Sequence, residues 1–341
     1  KRRFGDERQT QIHDQELGEW RREDTEPHQE IVITLSKNGY VKRVPAATYR
    51  AQHRGGKGVK GQRMTKEDDV TPYLQVADTH DYLLFFTNRG RVFSARAFNL
   101  EEQSRNSRGT PVQNLVHLEP RETVHAIRAV RSLLEDVYLV LATRKGEVKR
   151  MHLPLLRNIR ASGLHAVRLD SGDELVAVGL AKPDQDIIMV SEHGMAIRFP
   201  SVSEVGEDGK VKKQGVAAHS RAAGGMRGMR IDDKSRVVAM DVVPADGSGS
   251  LLIVSRHGYG KISGLGAYRR QSRGGKGLIT LKVTPKNGVI AAAAVISDEI
   301  RMDSEGKLFL LTDKAQVLRT NLSEIRSTGR ITQGVILVAP E

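Results

Sequence analysis

Residues 140–150 read VLATRKGEVKR: an apolar run, a Thr, two basic residues, a Gly, and a second run in which apolar and charged residues alternate. The phrase returns as ITLSKNGYVKR at 33–43, LFFTNRGRVFS at 84–94, IMVSEHGMAIRF at 188–199, LIVSRHGYGKI at 252–262 and FLLTDKAQVLR at 309–319. Two β-rich runs joined by a short polar turn that holds a Gly predict a β-hairpin. The turn glycines are Gly39, Gly90, Gly146, Gly194 and Gly258, with Ala315 in the sixth place. Five steps cover the 276 residues from Gly39 to Ala315, a mean of 55.

A second landmark travels with the first. Arg follows the turn residue by 15 positions in four copies (Arg54, Arg105, Arg273, Arg330), by 14 in the third (Arg160) and by 27 in the fourth (Arg221), where an insertion lies near 206–213. Those four equal copies place a Gly four residues beyond the Arg, at Gly58, Gly109, Gly277 and Gly334; the third and fourth reach Gly163 and Gly225. After each Gly come an alternating run, an acidic turn and a further run, such as 174–180 or 236–243. Each repeat thus holds four short strands and no helical period. Four strands recurring every ~50 residues describe a propeller blade, whose faces only its neighbours can cover. The fold class expected is all-β, a six-bladed propeller-like ring. The Trp-Asp signature of WD40 repeats is absent, since the one Trp, Trp20, precedes the repeats. With aromatics at 4%, the sheets must pack with Val, Ile, Leu and Ala.

Composition narrows the function. An apolar fraction of 38% with 33 Gly is too hydrophobic for a disordered chain, and the longest apolar stretches fall far short of a bilayer span. With no Cys there is no disulfide framework, thiolate zinc site or cysteine nucleophile. The chain opens Lys-Arg-Arg-Phe-Gly-Asp without an apolar leader or initiator Met, which reads as a piece of a longer protein. Its net charge of +13 divides unevenly: 6 basic and 9 acidic residues in 1–30 give −3, leaving +16 on 31–341. Residues 1–30, acidic from 14 to 30, read as a linker, and 31–341 as the ring. A body so basic attracts polyanions.

Two of the Arg-to-Gly loops are near copies, YRAQHRGGKG at 49–58 and YRRQSRGGKG at 268–277. Adjacent glycines let backbone N–H groups approach an anion while Arg and Lys supply charge, and Gln52 or Gln271 can hydrogen-bond the loop backbone. A Walker A loop needs Gly-Lys followed by Ser or Thr, whereas Lys57 and Lys276 precede Gly58 and Gly277. A dinucleotide fingerprint needs a following helix, and a strand follows here.

These residues resemble the C-terminal domain of the bacterial DNA gyrase A subunit, whose hallmark box reads Gln-Arg-Arg-Gly-Gly-Lys-Gly; QHRGGKG at 52–58 stands in the first repeat, where that family carries it. FGDERQTQI at 4–12 is similar to the family's segment leading from its cleavage core. The resemblance implies a six-bladed β-pinwheel with strands exchanged between blades, which wraps duplex DNA on a basic rim and so enables negative supercoiling. His53 and Ser272 depart from the family's Arg, and the QSRGGKG box in the fifth repeat and the 206–213 insertion have no assigned counterpart. The candidate DNA-binding residues are Gln52, His53, Arg54, Gly55, Gly56, Lys57, Gly58, Lys60 and Arg63; Arg105 and Arg108; Arg160; Arg221 and Arg227; Arg269, Gln271, Arg273, Gly274, Gly275, Lys276 and Gly277; and Arg330. No catalytic constellation accompanies them. Acid pairs such as Asp68/Asp69, Asp173/Glu174 and Asp232/Asp233 fall on turns of the repeat, and the 11 His show no His-Glu-x-x-His spacing. The expectation is therefore a non-catalytic module of a type IIA topoisomerase, with no metal or cofactor of its own and ATP and Mg in other parts of the holoenzyme. Its expected partners are double-stranded DNA, the dimeric remainder of the gyrase A subunit, and the gyrase B subunit, in the bacterial cytoplasm. The runners-up are the related C-terminal domain of topoisomerase IV and a basic propeller that binds an acidic protein.

Overall fold

The Ser or Thr before each turn Gly explains why the phrase recurs. In the computed structural model, which describes residues 22–36, 38–48, 59–60, 73–104, 106–302, 307–311 and 316–338, the Gly amide donates to that residue's carbonyl: Gly90 to Thr87 at 3.0 Å, Gly146 to Thr143 at 3.1 Å, Gly194 to Ser191 at 3.2 Å and Gly258 to Ser255 at 3.0 Å. Its hydroxyl accepts the amide after the Gly, as at Tyr40, Arg91, Glu147 and Met195. The Gly itself adopts a left-handed conformation (φ +87° at Gly194), and a Cβ there would lie 2.3 Å from the Leu281 carbonyl of the next repeat. One glycine therefore both closes its hairpin and lets the neighbouring repeat approach.

Five four-stranded antiparallel sheets follow one plan. The hairpins are Glu30–Leu35/Tyr40–Pro45, Tyr82–Thr87/Arg91–Arg96, Tyr138–Thr143/Glu147–His152, Asp186–Ser191/Met195–Pro200 and Ser250–Ser255/Tyr259–Gly264. Each hairpin's first strand pairs with a long strand from later in the same repeat: Tyr73–Asp78, Val124–Val130, Leu175–Ala181, Val237–Val243 and Ile290–Ile296 in turn. These long strands pack on one another from blade to blade, forming the inner edges of the array. Each second strand takes as outer edge a two-residue strand from the next repeat: Thr110–Pro111, Leu164–His165, Met226–Arg227, Leu278–Ile279 and Val335–Ile336. Blades thus exchange strands, and the Arg-to-Gly loops that lead into these short strands lie along the outer edge.

The last hairpin, Lys307–Leu311 with Gln316–Asn321, forms a three-stranded sheet with Val59–Lys60 of the first repeat. The described residues thus hold five blades of four strands, where six were expected. Among the described residues, the last repeat contributes no inner strand of the kind that completes the other five sheets. Ala315, the sixth turn residue, lies outside the described residues.

The core sits between blades. Along Asp186–Ser191, Ile187 and Met189 join the cluster shared with the third blade, while Ile188 and Val190 join that shared with the fifth. Both faces of the strand are buried, which is why these runs are apolar throughout rather than alternating. The other hairpins repeat this arrangement, as with Leu84 and Phe86 against Leu83 and Phe85.

Residues 22–29, within the segment read as a linker, pack against the first blades. A short helix, Arg22–Thr25, and the residues after it lie across the first two blades. Glu26 pairs with Arg43 at 2.6 Å, Glu23 with Arg96 at 2.6 Å, and the His28 and His80 rings stack at 3.9 Å. Gln29 donates its amide to Thr79, whose hydroxyl donates to the Pro27 carbonyl, so the segment is tied by backbone as well as charge. Residues 1–21 lie outside the described part.

Candidate nucleic-acid interface

The second box shows how the rim is built. Tyr268 is buried with its hydroxyl against Thr280, which anchors one end of the loop. Gly277 (φ +84°) anchors the other: a Cβ there would stand 2.3 Å from the Ala196 carbonyl, so only Gly fits. Between them, Arg270 pairs with Asp186 at 2.6 Å and also with Glu204, and Asp186 in turn holds Arg198 at 2.7 Å. Gly274 donates its amide to the Gly228 carbonyl at 2.6 Å, and Arg230 donates to the Gly275 carbonyl at 2.8 Å.

Within this loop the two cations have different tasks. Arg273 is half-buried; its Nε donates to the Gly215 carbonyl at 2.7 Å and an Nη to that of Arg227 at 2.9 Å. It staples the loop to the outer strand of the preceding repeat. Arg330 makes the same contact one repeat later, donating to the Ile279 carbonyl at 2.9 Å. Arg227 and Ile279 each stand two residues after their own loop Gly, so the spacing of Arg and Gly in the sequence is the spacing of this staple. Lys276 has a 63% exposed side chain that projects to solvent, 3.6 Å from Asp232. The reading of Gln271 needs correction: its backbone amide donates to the Arg198 carbonyl at 2.8 Å, but its side-chain nitrogen is buried without a partner among the described residues and does not hold the loop backbone.

Elsewhere the rim is basic and open. Arg269, Arg227, Arg160 and Arg221 are exposed. A cleft of about 760 Å³ between the third and fourth loops is lined by Arg157, Arg160 and Arg221 together with His152 and Asn158. The guanidinium of Arg108 stacks 3.9 Å over Tyr40. Gln52 to Gly58, Arg63 and Arg105 lie outside the described residues, and of Lys60 only the backbone is described, in the strand that pairs with Gln316 and Val317. Among the described residues no group of three His, Cys, Asp or Glu is placed to hold a metal, and no helix is long and apolar enough to cross a membrane.

The sequence reading missed three residues beneath this surface. Lys42, Lys149 and Lys261 are at most 1% exposed, and their ammonium groups face carbonyls of the rim loops. Burial pushes the Lys149 and Lys261 amines down to about 8, with Arg330 adding to the effect at Lys261. A signal was present, since each lysine stands three residues after a turn Gly, in alternate repeats.

The repeats, their exchanged strands and their loops match a family profile described as "DNA gyrase C-terminal domain, beta-propeller" over residues 30–72, 81–131, 138–182, 185–207, 205–244, 249–297 and 306–339. The chain belongs to this family. The DNA gyrase A subunit of Staphylococcus aureus strain NCTC 8325 is 37% identical to it over 337 residues, 98% of this chain and 36% of the relative, and the protein from strain MSSA476 matches to the same extent. The chain thus spans about a third of the length of these relatives. Among solved structures, a DNA gyrase A C-terminal domain superposes with a TM-score of 0.78 at 24% identity, covering 92% of this chain and 96% of that one. The C-terminal domain of a DNA topoisomerase IV gives 0.63 at 21%, covering 91% and 89%. Both likenesses concern the fold. The break in the family match near 205–207 falls where this gyrase-family chain carries its insertion, the hairpin Glu204–Val205/Val211–Lys213.

Proposed function

We propose that the domain binds duplex DNA without sequence preference and bends it around the outer edge of a six-bladed ring, as a non-catalytic part of a DNA gyrase. The observation that carries this reading is the stapled, exposed basic rim on a body of charge +16. Phosphates are the partner such a surface fits, because it offers cations on loops and, among the described residues, no helix for the major groove. Bending roughly 20 to 30 base pairs by about 40 to 90° costs on the order of 1 to 6 kcal/mol, so the contacts must be spread over many loops. The six matched repeats and the pairing of Val59–Lys60 with the last hairpin support a sixth blade that closes the ring. In the full protein, the partners would be the rest of the gyrase A subunit, together with the gyrase B subunit, in the bacterial cytoplasm. Catalysis, ATP and Mg would belong to those other parts, and this domain would need no cofactor.

Both boxes belong to the rim in this proposal, Gln52 to Gly58 with Lys60 and Arg63 beside the closure and Gln271 to Gly277 in the fifth repeat. Binding should weaken with salt, log K falling against log salt with a slope of about −0.9 per neutralised phosphate and roughly six or more phosphates engaged. Tight binding to a single sequence, or a slope near zero, would overturn it. Replacing Arg54 and Lys57 by Ala should lower bare affinity modestly but sharply reduce the writhe trapped when nicked circles are ligated on the domain. The first box has no special role if the Arg273 and Lys276 pair of substitutions loses as much writhe.

A further inference from the structure

The buried lysines divide the rim loops into two kinds. Lys42 Nζ donates to the carbonyls of Ser104 at 3.4 Å and Ser107 at 3.0 Å, in the loop of the second repeat. Lys149 Nζ donates to the carbonyls of Ala166 at 2.6 Å, Ala223 at 2.9 Å and Arg221, the last two in the loop of the fourth repeat. Lys261 Nζ donates to the Gly329 carbonyl at 2.8 Å, to that of Arg330, and to Thr332 Oγ1 at 3.2 Å, in the loop of the sixth. In the second and fourth repeats the same position holds Phe93 and Ile197, and the loops laid on these are pressed flat by glycine: a Cβ at Gly163 would stand 2.8 Å from the Phe93 ring, and one at Gly275 would stand 3.4 Å from Ile197.

A carbonyl turned toward a buried ammonium has a consequence on the other side of the loop. The peptide group is planar and trans, so the N–H that follows points the opposite way. Of the amides that follow the caged carbonyls, that of Val167 donates to the Gly90 carbonyl at 3.2 Å, whereas those of Ala222, Arg330 and Ile331 meet no backbone or side-chain acceptor among the described residues. Ala222 and Ile331 are exposed. Outward N–H groups with a fixed cation behind them are the elements from which anion-binding nests are made.

We propose that Lys149 and Lys261 are positioning residues that template phosphodiester sites made of backbone amides on the loops of the fourth and sixth repeats. The proposal rests on the DNA-binding reading above and adds to it a division of labour. These two loops grip phosphate through main-chain N–H groups held from below, and the loop of the fifth repeat through the projecting side chain of Lys276.

The test has two arms. In the wild-type domain, titration with a 20-base-pair duplex should shift the backbone amide resonances of Ala222, Arg330 and Ile331, saturating with the binding isotherm. In a Lys149→Met/Lys261→Met variant, the salt slope of duplex binding should become shallower by about 1.8, that is, roughly 0.9 for each of two lost phosphates. Lys182→Met, which removes an exposed charge outside the Arg-to-Gly loops, should leave the slope unchanged. Duplex binding with those three amides unmoved would overturn the proposal, as would a folded double variant that keeps the wild-type slope. If the double variant does not fold, the amide titration alone decides. Absence of duplex binding by the wild-type domain would instead overturn the DNA-binding reading, and this one with it.

Discussion

Arg273 and Lys276 stand three residues apart in one motif, yet the fold separates their roles. Arg273→Ala removes a guanidinium from two backbone carbonyls and should cost about 1.5 to 3 kcal/mol, seen as a lower denaturation midpoint. Lys276→Ala, at an exposed side chain, should change stability by less than about 0.5 kcal/mol while making the salt slope of DNA binding shallower by about 0.9. The caged lysines add a pH dependence whose sign can be worked out. Lys149 and Lys261 titrate near 8 in the fold, against about 10.4 for an unperturbed lysine. Between those values the unfolded chain holds more protons, so these groups make the fold more stable as pH rises from about 8 toward 10.4. DNA affinity should move the other way over the same range, because the cages lose their cation while the arginines stay charged. Thermal melts and duplex titrations at pH 7 and 9.5, on the wild type and on the Lys149→Met/Lys261→Met variant, should show both trends flattened in the variant.

At the level of elements, the insertion in the fourth repeat becomes intelligible as a brace for the second box. Glu204 of its first strand pairs with Arg270. Gln214 donates its amide to Ser272 Oγ at 3.2 Å and accepts that of Arg273 at 3.0 Å. Val205 and Val211 are 60% and 53% exposed, so the hairpin itself adds little to the core. Replacing 205–212 by a two-residue turn should therefore leave the melting temperature almost unchanged. Hydrogen exchange at the amides of Ser272 to Gly275 should become faster, and the change should be confined to that loop. Nothing in the spacing of 206–213 announced this contact, because the hairpin and the box are about sixty residues apart in sequence and meet only through strand exchange.

For the whole molecule, the last repeat meets the first through a two-residue strand, Val59–Lys60, laid on Gln316 and Val317. Val59→Pro, which sets proline in that short ladder, should loosen the junction without touching any of the five complete blades. Writhe trapped on ligated circles should fall more than affinity for a short duplex. The repeat, the hairpins, the apolar strands buried on both faces and the basic outer loops were all legible in the sequence. Each is dictated locally: a left-handed Gly after Ser or Thr makes the turn, and a run without alternation demands cover on two sides. The acidic approach from Arg22 was not legible, since its anchors Arg43 and Arg96 belong to two different blades. Nor was the role of the landmark Arg, whose constant distance from Gly was visible while its partners, the carbonyls of Arg227 and Ile279, lie a repeat away. Charge and period could be read along one chain segment at a time. Whether a cation faces solvent, staples a strand or sits caged beneath a loop was decided only in the tertiary structure, because strand exchange brings the carbonyls of one repeat onto the side chains of another.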